Sequence, residues 1–195
     1  MTIFAAKLDD AARTIELVLS QKSHSLAKAI ASTRGTSVIA VGSGGSCISA
    51  EYLATCRDTL GSSTTFVQTP MQLCLADSSL AGTAVFLFSA SGNNADIIAA
   101  HTSAVARGAA PLHLVTNNPA GTLARICTDR GDKVHALPTA DPKDGFLATH
   151  SLIGTVTALL AASDAVAHRS AGPSAKLVED FSCAADLILS RQARR

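Results

Sequence analysis

The chain has 195 residues, a formal net charge of +1, 47% apolar residues, 16% charged and only 4% aromatic. That length suits one domain with an aliphatic core of its own, and the composition excludes a disordered tail protein. The one tight basic cluster is Arg191, Arg194 and Arg195, so the sequence carries no electrostatic footprint for nucleic acid or an anionic membrane.

In chain order, residues 2–34 read as helix with a break at 21–25, because Leu8, Ala11, Ile15, Val18 and Leu19, then Leu26, Ala27 and Ile30, recur at helical spacing. Gly35 ends that segment and 37–41 reads as a first strand, closed by Gly42-Ser43-Gly44-Gly45-Ser46. A helix over about 47–60 stops at Gly61; a second strand follows at 64–67 and a short helical piece opens at Thr69-Pro70. Residues 83–88 form a continuous Val/Phe-rich run, the mark of a strand buried on both faces. A hydroxyl-rich turn, Ser89-Ala90-Ser91-Gly92-Asn93-Asn94, and an Ala/Ile-rich helix follow it. Further strands are expected at 112–116 and 134–137 with a short helix near 123–127 between them. A Pro/Asp/Lys loop at 138–144 precedes a long apolar helix at about 146–167, and a last helix is expected at 174–190. Strands alternating with helices over short links predict an α/β fold: a three-layer α/β/α sandwich with a five-stranded parallel sheet.

Targeting and redox signals are few. Lys7, Asp9, Asp10 and Arg13 leave no apolar signal-peptide core, and Thr149, His150, Ser151, Thr155 and Thr157 interrupt the least polar stretch, so neither export nor a membrane span is expected. The five cysteines are scattered without a C-x-x-C pair, which fits thiols in a reducing cytoplasm rather than a disulfide framework or zinc ribbon. No metal-ligand spacing stands among the histidines, and neither metal nor cofactor is expected. His113 and His135 read as structural, whereas His24, His101 and His168 read as exposed.

Two loops stand at strand carboxyl ends, where open α/β sheets bind ligands: Gly42 to Ser46 and Ser89 to Asn94. The G-x-G-x-x-G spacing of a dinucleotide site is absent, with Cys47 at the third glycine's place, and so is the Gly-Lys-Ser/Thr of a triphosphate loop. Two serine-bearing loops opening helices are better suited to one phosphate monoester.

On these residues the chain resembles the SIS (sugar isomerase) domain family over about 35–167, with 1–34 and 174–190 as flanking helices of a single domain. Gly42 to Ser46 resembles that family's first Gly/Ser loop, Ser89 to Asn94 its S-x-S-G-x-S/T phosphate loop, and Val115-Thr116-Asn117-Asn118 with Leu123-Ala124 its fourth-strand exit. The resemblance implies a flavodoxin-like, nucleotide-binding type of topology. It also implies a sugar-phosphate ligand held by Ser43, Gly44, Ser46, Ser89, Ser91, Gly92, Asn93 and Asn94, with Asn94 where a Ser or Thr is usual. The apolar surface of the long helix and the N-terminal helices, more than one sheet face can cover, leads to the expectation of a homodimer or homotetramer.

Catalysis is less plainly written. Aldose–ketose isomerisation needs a base, and usually a group that opens the ring. The glutamate that follows a proline before the long helix in glucosamine-phosphate synthase domains is Lys143 here, beside Asp144. The His and Glu of heptose-phosphate isomerases are matched by Tyr52 and Cys56. Glu51 resembles the acidic residue of bifunctional phosphoglucose/phosphomannose isomerases. Glu51, Asp144 and His150 are therefore the candidates for proton transfer in a phosphosugar isomerase, the alternative being a non-catalytic phosphosugar-binding sensor or partner subunit.

Overall fold

The structure is a computed structural model that describes residues 3–21, 24–140 and 149–168, with residues 176, 179–181 and 183–184 beyond them. Its centre is a five-stranded, all-parallel sheet of order β2-β1-β3-β4-β5, built from β1 (Val38–Val41), β2 (Thr65–Gln68), β3 (Ala84–Phe88), β4 (Leu112–Thr116) and β5 (Lys133–Ala136). Every residue of β1, β3 and β4 is buried, whereas the edge strands β2 and β5 are partly exposed. That is why the inner strands read as continuous apolar runs.

Side-chain alternation sorts the two halves of the core. Val38, Ala40, Ala84, Phe86 and Phe88 face one side, where helices α1 (Ile3–Ser20), α2 (His24–Ser32), α3 (Gly45–Thr59) and α7 (Thr149–Val166) pack. Ile39, Val41, Val85, Leu87, Leu112 and Leu114 face the other, against α4 (Pro70–Leu75), α5 (Ala95–Ala106) and α6 (Thr122–Arg130). Most expected boundaries hold to within a residue or two. Helix α3 starts two residues earlier than the sequence suggests, because Gly44 takes φ 55° and turns the chain into the helix at Gly45. Helix α6 runs on to Arg130, where Gly131 in the left-handed conformation ends it. The start of the long apolar helix at 146–148 and most of the expected 174–190 helix lie outside the described residues.

One buried cation ties α3 to the elements around it. Arg57 is fully buried and has no carboxylate partner among the described residues. Its Nε donates to Thr65 Oγ1 at 2.8 Å and one terminal nitrogen to Thr33 Oγ1 at 2.9 Å. The other donates to the carbonyls of Thr33 at 3.0 Å, Thr36 at 2.9 Å and Ser63 at 3.3 Å. The guanidinium fork thus satisfies carbonyls just past the end of α2 and just before β2.

A row of rings crosses the same face of the sheet. Phe86 of β3 stacks on His113 of β4, centroids 4.4 Å apart, and His113 stacks on His135 of β5 at 5.4 Å. His113 Nδ1 lies 3.1 Å from His135 Nε2, and His135 Nδ1 lies 3.2 Å from the Ser25 hydroxyl. Burial lowers both imidazoles to about 4, and for His113 the neighbouring His135 adds to the shift. These two histidines are structural, as the sequence suggested.

Two outcomes follow. Arg57→Met keeps the bulk but takes the guanidinium from the part-buried carbonyls of Thr36 and Ser63, while the Thr33 carbonyl keeps the Thr36 N–H at 3.0 Å; unmet buried polar groups cost about 1–3 kcal/mol each. Urea denaturation is expected to show a loss of about 2 kcal/mol or more; a change below about 1 kcal/mol would mean that water replaces the fork. The histidine row sets an acid limit. The unfolded chain protonates both rings near 6.5 and the folded chain only near 4, so their contribution is complete above pH 6.5 and is lost as pH falls toward 4. Urea midpoints should drop through that window in the wild type and drop less in a His113→Phe/His135→Gln double variant.

Candidate functional site

In the strand order β2-β1-β3-β4-β5 the sequence direction reverses between β1 and β3, so the loops leaving these two strands diverge and open a crevice at their carboxyl ends. The strands are in register with Val41 opposite Leu87, so both loops leave at nearly the same height. These are the two serine-bearing loops.

In the first, a Cβ on residue 42 would collide with the Ser46 carbonyl, so glycine is needed for α3 to start directly over the strand. Ser46 N–H donates to the Ser43 carbonyl at 3.1 Å and Cys47 N–H to Gly44 at 3.0 Å, and no side chain caps the helix. The positive end of the α3 dipole therefore faces the crevice with Ser46 in its first turn.

In the second loop the hydroxyls organise the backbone. Ser89 Oγ accepts from Gly92 N–H at 3.2 Å, Ser91 Oγ accepts from Asn93 N–H at 3.3 Å, and Asn94 Oδ1 caps α5 by accepting from Asp96 N–H at 3.0 Å. A hydroxyl that accepts still has its own proton to donate. Gly92 holds φ 65°, which a side chain would strain. The loop is fastened from behind by the exit of β4 and the start of α6. Thr116 Oγ1 donates to the Ala90 carbonyl at 3.1 Å, Asn118 Nδ2 to Ser91 at 3.0 Å, and Leu123 N–H to Gly92 at 2.8 Å. Asn93 Oδ1 accepts from the N–H and hydroxyl of Thr122 at 2.9 and 3.1 Å.

A cavity of about 100 Å³ lies between the loops, several times the roughly 10–15 Å³ that one water needs. Ser43, Gly45, Ser46 and Ser49 line it from the first loop and α3, Phe88, Ser89 and Ala90 from the second, and Ser151, Leu152 and Thr155 from α7, with Val115 behind. Among these described residues none is ionisable. The site offers hydroxyls, backbone N–H groups and helix ends.

Of the ligand residues implied by resemblance, Ser43, Ser46 and Ser89 line this cavity. Gly44, Ser91, Asn93 and Asn94 are exposed and do not line it, and Gly92 is buried in the loop. Glu51 is exposed on α3 and does not line the cavity. His150 is buried, with Nε2 3.0 Å from the Lys7 carbonyl of α1. Asp144 and Lys143 lie outside the described residues. Tyr52 and Cys56 pack on the α3 face that meets α7; burial raises both, Cys56 to about 11, and a nearby Asp164 adds to each shift. Sequence reasoning missed Ser49, Ser151 and Thr155. Their signal was there in helical spacing, since Ser49 is three residues beyond Ser46 and Thr155 four beyond Ser151, but a hydroxyl inside an apolar helix is an ordinary sight.

No protein-family model and no curated protein matches the chain. Solved structures do. Tagatose-6-phosphate ketose/aldose isomerase from Escherichia coli superposes over 95% of this chain and 52% of its own, at 16% identity and a TM-score of 0.75. The Vibrio vulnificus NanR protein complexed with ManNAc-6P matches over 93% and 68%, at 19% identity and a TM-score of 0.61. The E. coli CFT073 protein c3406 in complex with A5P matches over 82% and 87%, at 24% identity and a TM-score of 0.60. The chain spans little more than half the length of the structures it matches at a TM-score of 0.75. What this likeness establishes is the architecture: the chain has the same α/β fold as these structures, a five-stranded parallel sheet covered by helices on both faces.

Proposed function

We propose that this chain binds a sugar phosphate, with the phosphate seated between the two loops at the β1/β3 crevice. The observation that carries the proposal is the convergence of hydroxyls from three elements, Ser46 of α3, Ser89 of the second loop and Ser151 of α7, on one cavity at the N-terminal end of α3. Neutral donors and a helix dipole suit a phosphate and require no lysine. That two proteins of this fold are solved with ManNAc-6P and A5P supports the same ligand class here. Binding without turnover is the role the described residues favour, because nothing ionisable among them lines the cavity.

Isomerisation is the second reading, favoured by the fold shared with tagatose-6-phosphate isomerase. It needs a base, and the candidates are Glu51, on the exposed side of α3, and Asp144, five residues before α7. His150 is the weaker candidate for ring opening, since its Nε2 is engaged with the Lys7 carbonyl.

Hydrogen bonds to a charged group contribute about 1.5–3 kcal/mol each, so removing one donor should weaken binding about ten- to a hundredfold. Calorimetry on hexose, pentose, heptose and amino-sugar phosphates should find at least one ligand whose dissociation constant rises tenfold or more in Ser46→Ala, with little loss of folding stability. Equal affinity in the two proteins would move the phosphate elsewhere. For the enzyme question, each bound sugar phosphate is incubated with wild type, Glu51→Gln and Asp144→Asn and followed for aldose–ketose conversion. No conversion by the wild type is the expected result. Conversion lost in one variant, with binding intact, would make that carboxylate the base and overturn the binding-only role.

A further inference from the structure

At the opposite end of the sheet from the crevice, three metal-ligating side chains from different elements meet in the core. His101 comes from the middle of α5, Cys127 from the last turns of α6, and Asp132 from the turn between α6 and β5. The His101 and Cys127 residues are 2% and 1% exposed, and the Asp132 side chain 8%. The sequence suggested an exposed His101; it is buried instead because it faces the α6–β5 turn. One ligand atom from each residue lies within 4.8 Å of the others, and His101 Nε2 is 2.8 Å from Asp132 Oδ2. The turn is rigid: Gly131 takes φ 87° and the Asp132 N–H returns to the Cys127 carbonyl at 2.9 Å, which fixes the thiol and the carboxylate relative to each other.

We propose that His101, Cys127 and Asp132 form a zinc site that joins α5 and α6 to the edge strand β5. The ligand set selects the ion: thiolate and imidazole favour zinc or cobalt(II), whereas magnesium and calcium want an all-oxygen set. Zinc bonds of about 2.0–2.3 Å place tetrahedral ligand atoms roughly 3.3–3.8 Å apart, so the trio need adjust by only about 1 Å. On binding, the Cys127 proton leaves to solvent and zinc takes the thiolate, one carboxylate oxygen and Nε2 of a neutral ring protonated at Nδ1. Entry would come past Arg130. Arg130, whose side chain is 42% exposed, reaches Asp132 Oδ2 at 3.2 Å and can turn outward, leaving the fourth position to water. An ordinary ion-pair reading explains His101, Asp132 and Arg130, with Cys127 as a small buried apolar group. It predicts no metal, and that difference is measurable.

The 195-residue chain is stripped with chelator and titrated with zinc chloride and, separately, cobalt(II) chloride. Expected are one equivalent of tightly held zinc, a higher melting temperature with zinc, and a near-ultraviolet thiolate-to-cobalt charge-transfer band. Cys127→Ala and Asp132→Asn should each lower zinc affinity at least tenfold, and Cys127→Ala should abolish the band. Asp132→Asn keeps an oxygen that accepts from His101, so it carries the test alone if Cys127→Ala does not fold. A wild-type cobalt spectrum without the thiolate band, or equal zinc affinity in wild type and Asp132→Asn, overturns the proposal.

Discussion

The parallel pairing of β1 with β3 is the constraint on which the site depends. Both strands are buried on both faces, so helices must cover each side and the connections must cross over; every loop that starts a helix is thereby sent to the same end of the sheet. With Val41 opposite Leu87, the two serine-bearing loops leave within a residue of each other. A slip of one residue in that register would turn the Val38/Ala40 and Ile39/Val41 faces inside out and drive the loops apart. The crevice is thus secured by the apolar core, not by polar contacts across its mouth.

Much of this was legible in the sequence because buried parallel strands leave a direct trace. Residues 83–88 and 112–116 are near-continuous apolar runs, and turn residues follow each of them. The third wall of the site was not legible. Ser151 and Thr155 sit in an apolar helix, and only the packing of α7 beside the first loop gives them a cavity to face. Arg57 was equally silent, since a lone arginine at position 57 reads as a surface charge until Thr33, Thr36 and Ser63 are brought round it. The asparagines show a third kind of difficulty. Asn93 and Asn94 stand in a phosphate-loop sequence, yet their side-chain oxygens hold α6 and cap α5. The same short amide serves a ligand or a neighbouring helix, and sequence spacing does not distinguish the two.

A cavity with no ionisable group among its described lining residues also bears on what selection can do with this fold. Under the proposed reading a phosphate would be held by strand ends, a helix start and small hydroxyls, and chemistry on a sugar would have to come from groups added around that seat. One architecture is shared with a tagatose-6-phosphate isomerase and with NanR, which keeps fold and activity separable questions.

Helix α3 gives the arrangement a mechanical side. Ser46 stands in its first turn and Arg57 in its last, about 16 Å apart along the axis by the rise of an α-helix. The guanidinium fork grips backbone from either side, so the foot of the helix is clamped and its head is held at a set height beneath the loop. The helix therefore behaves as a strut. Loosening its foot would let the head ride up or rotate by a fraction of a turn, and the damage would surface as a misshapen crevice caused by a residue that does not line it.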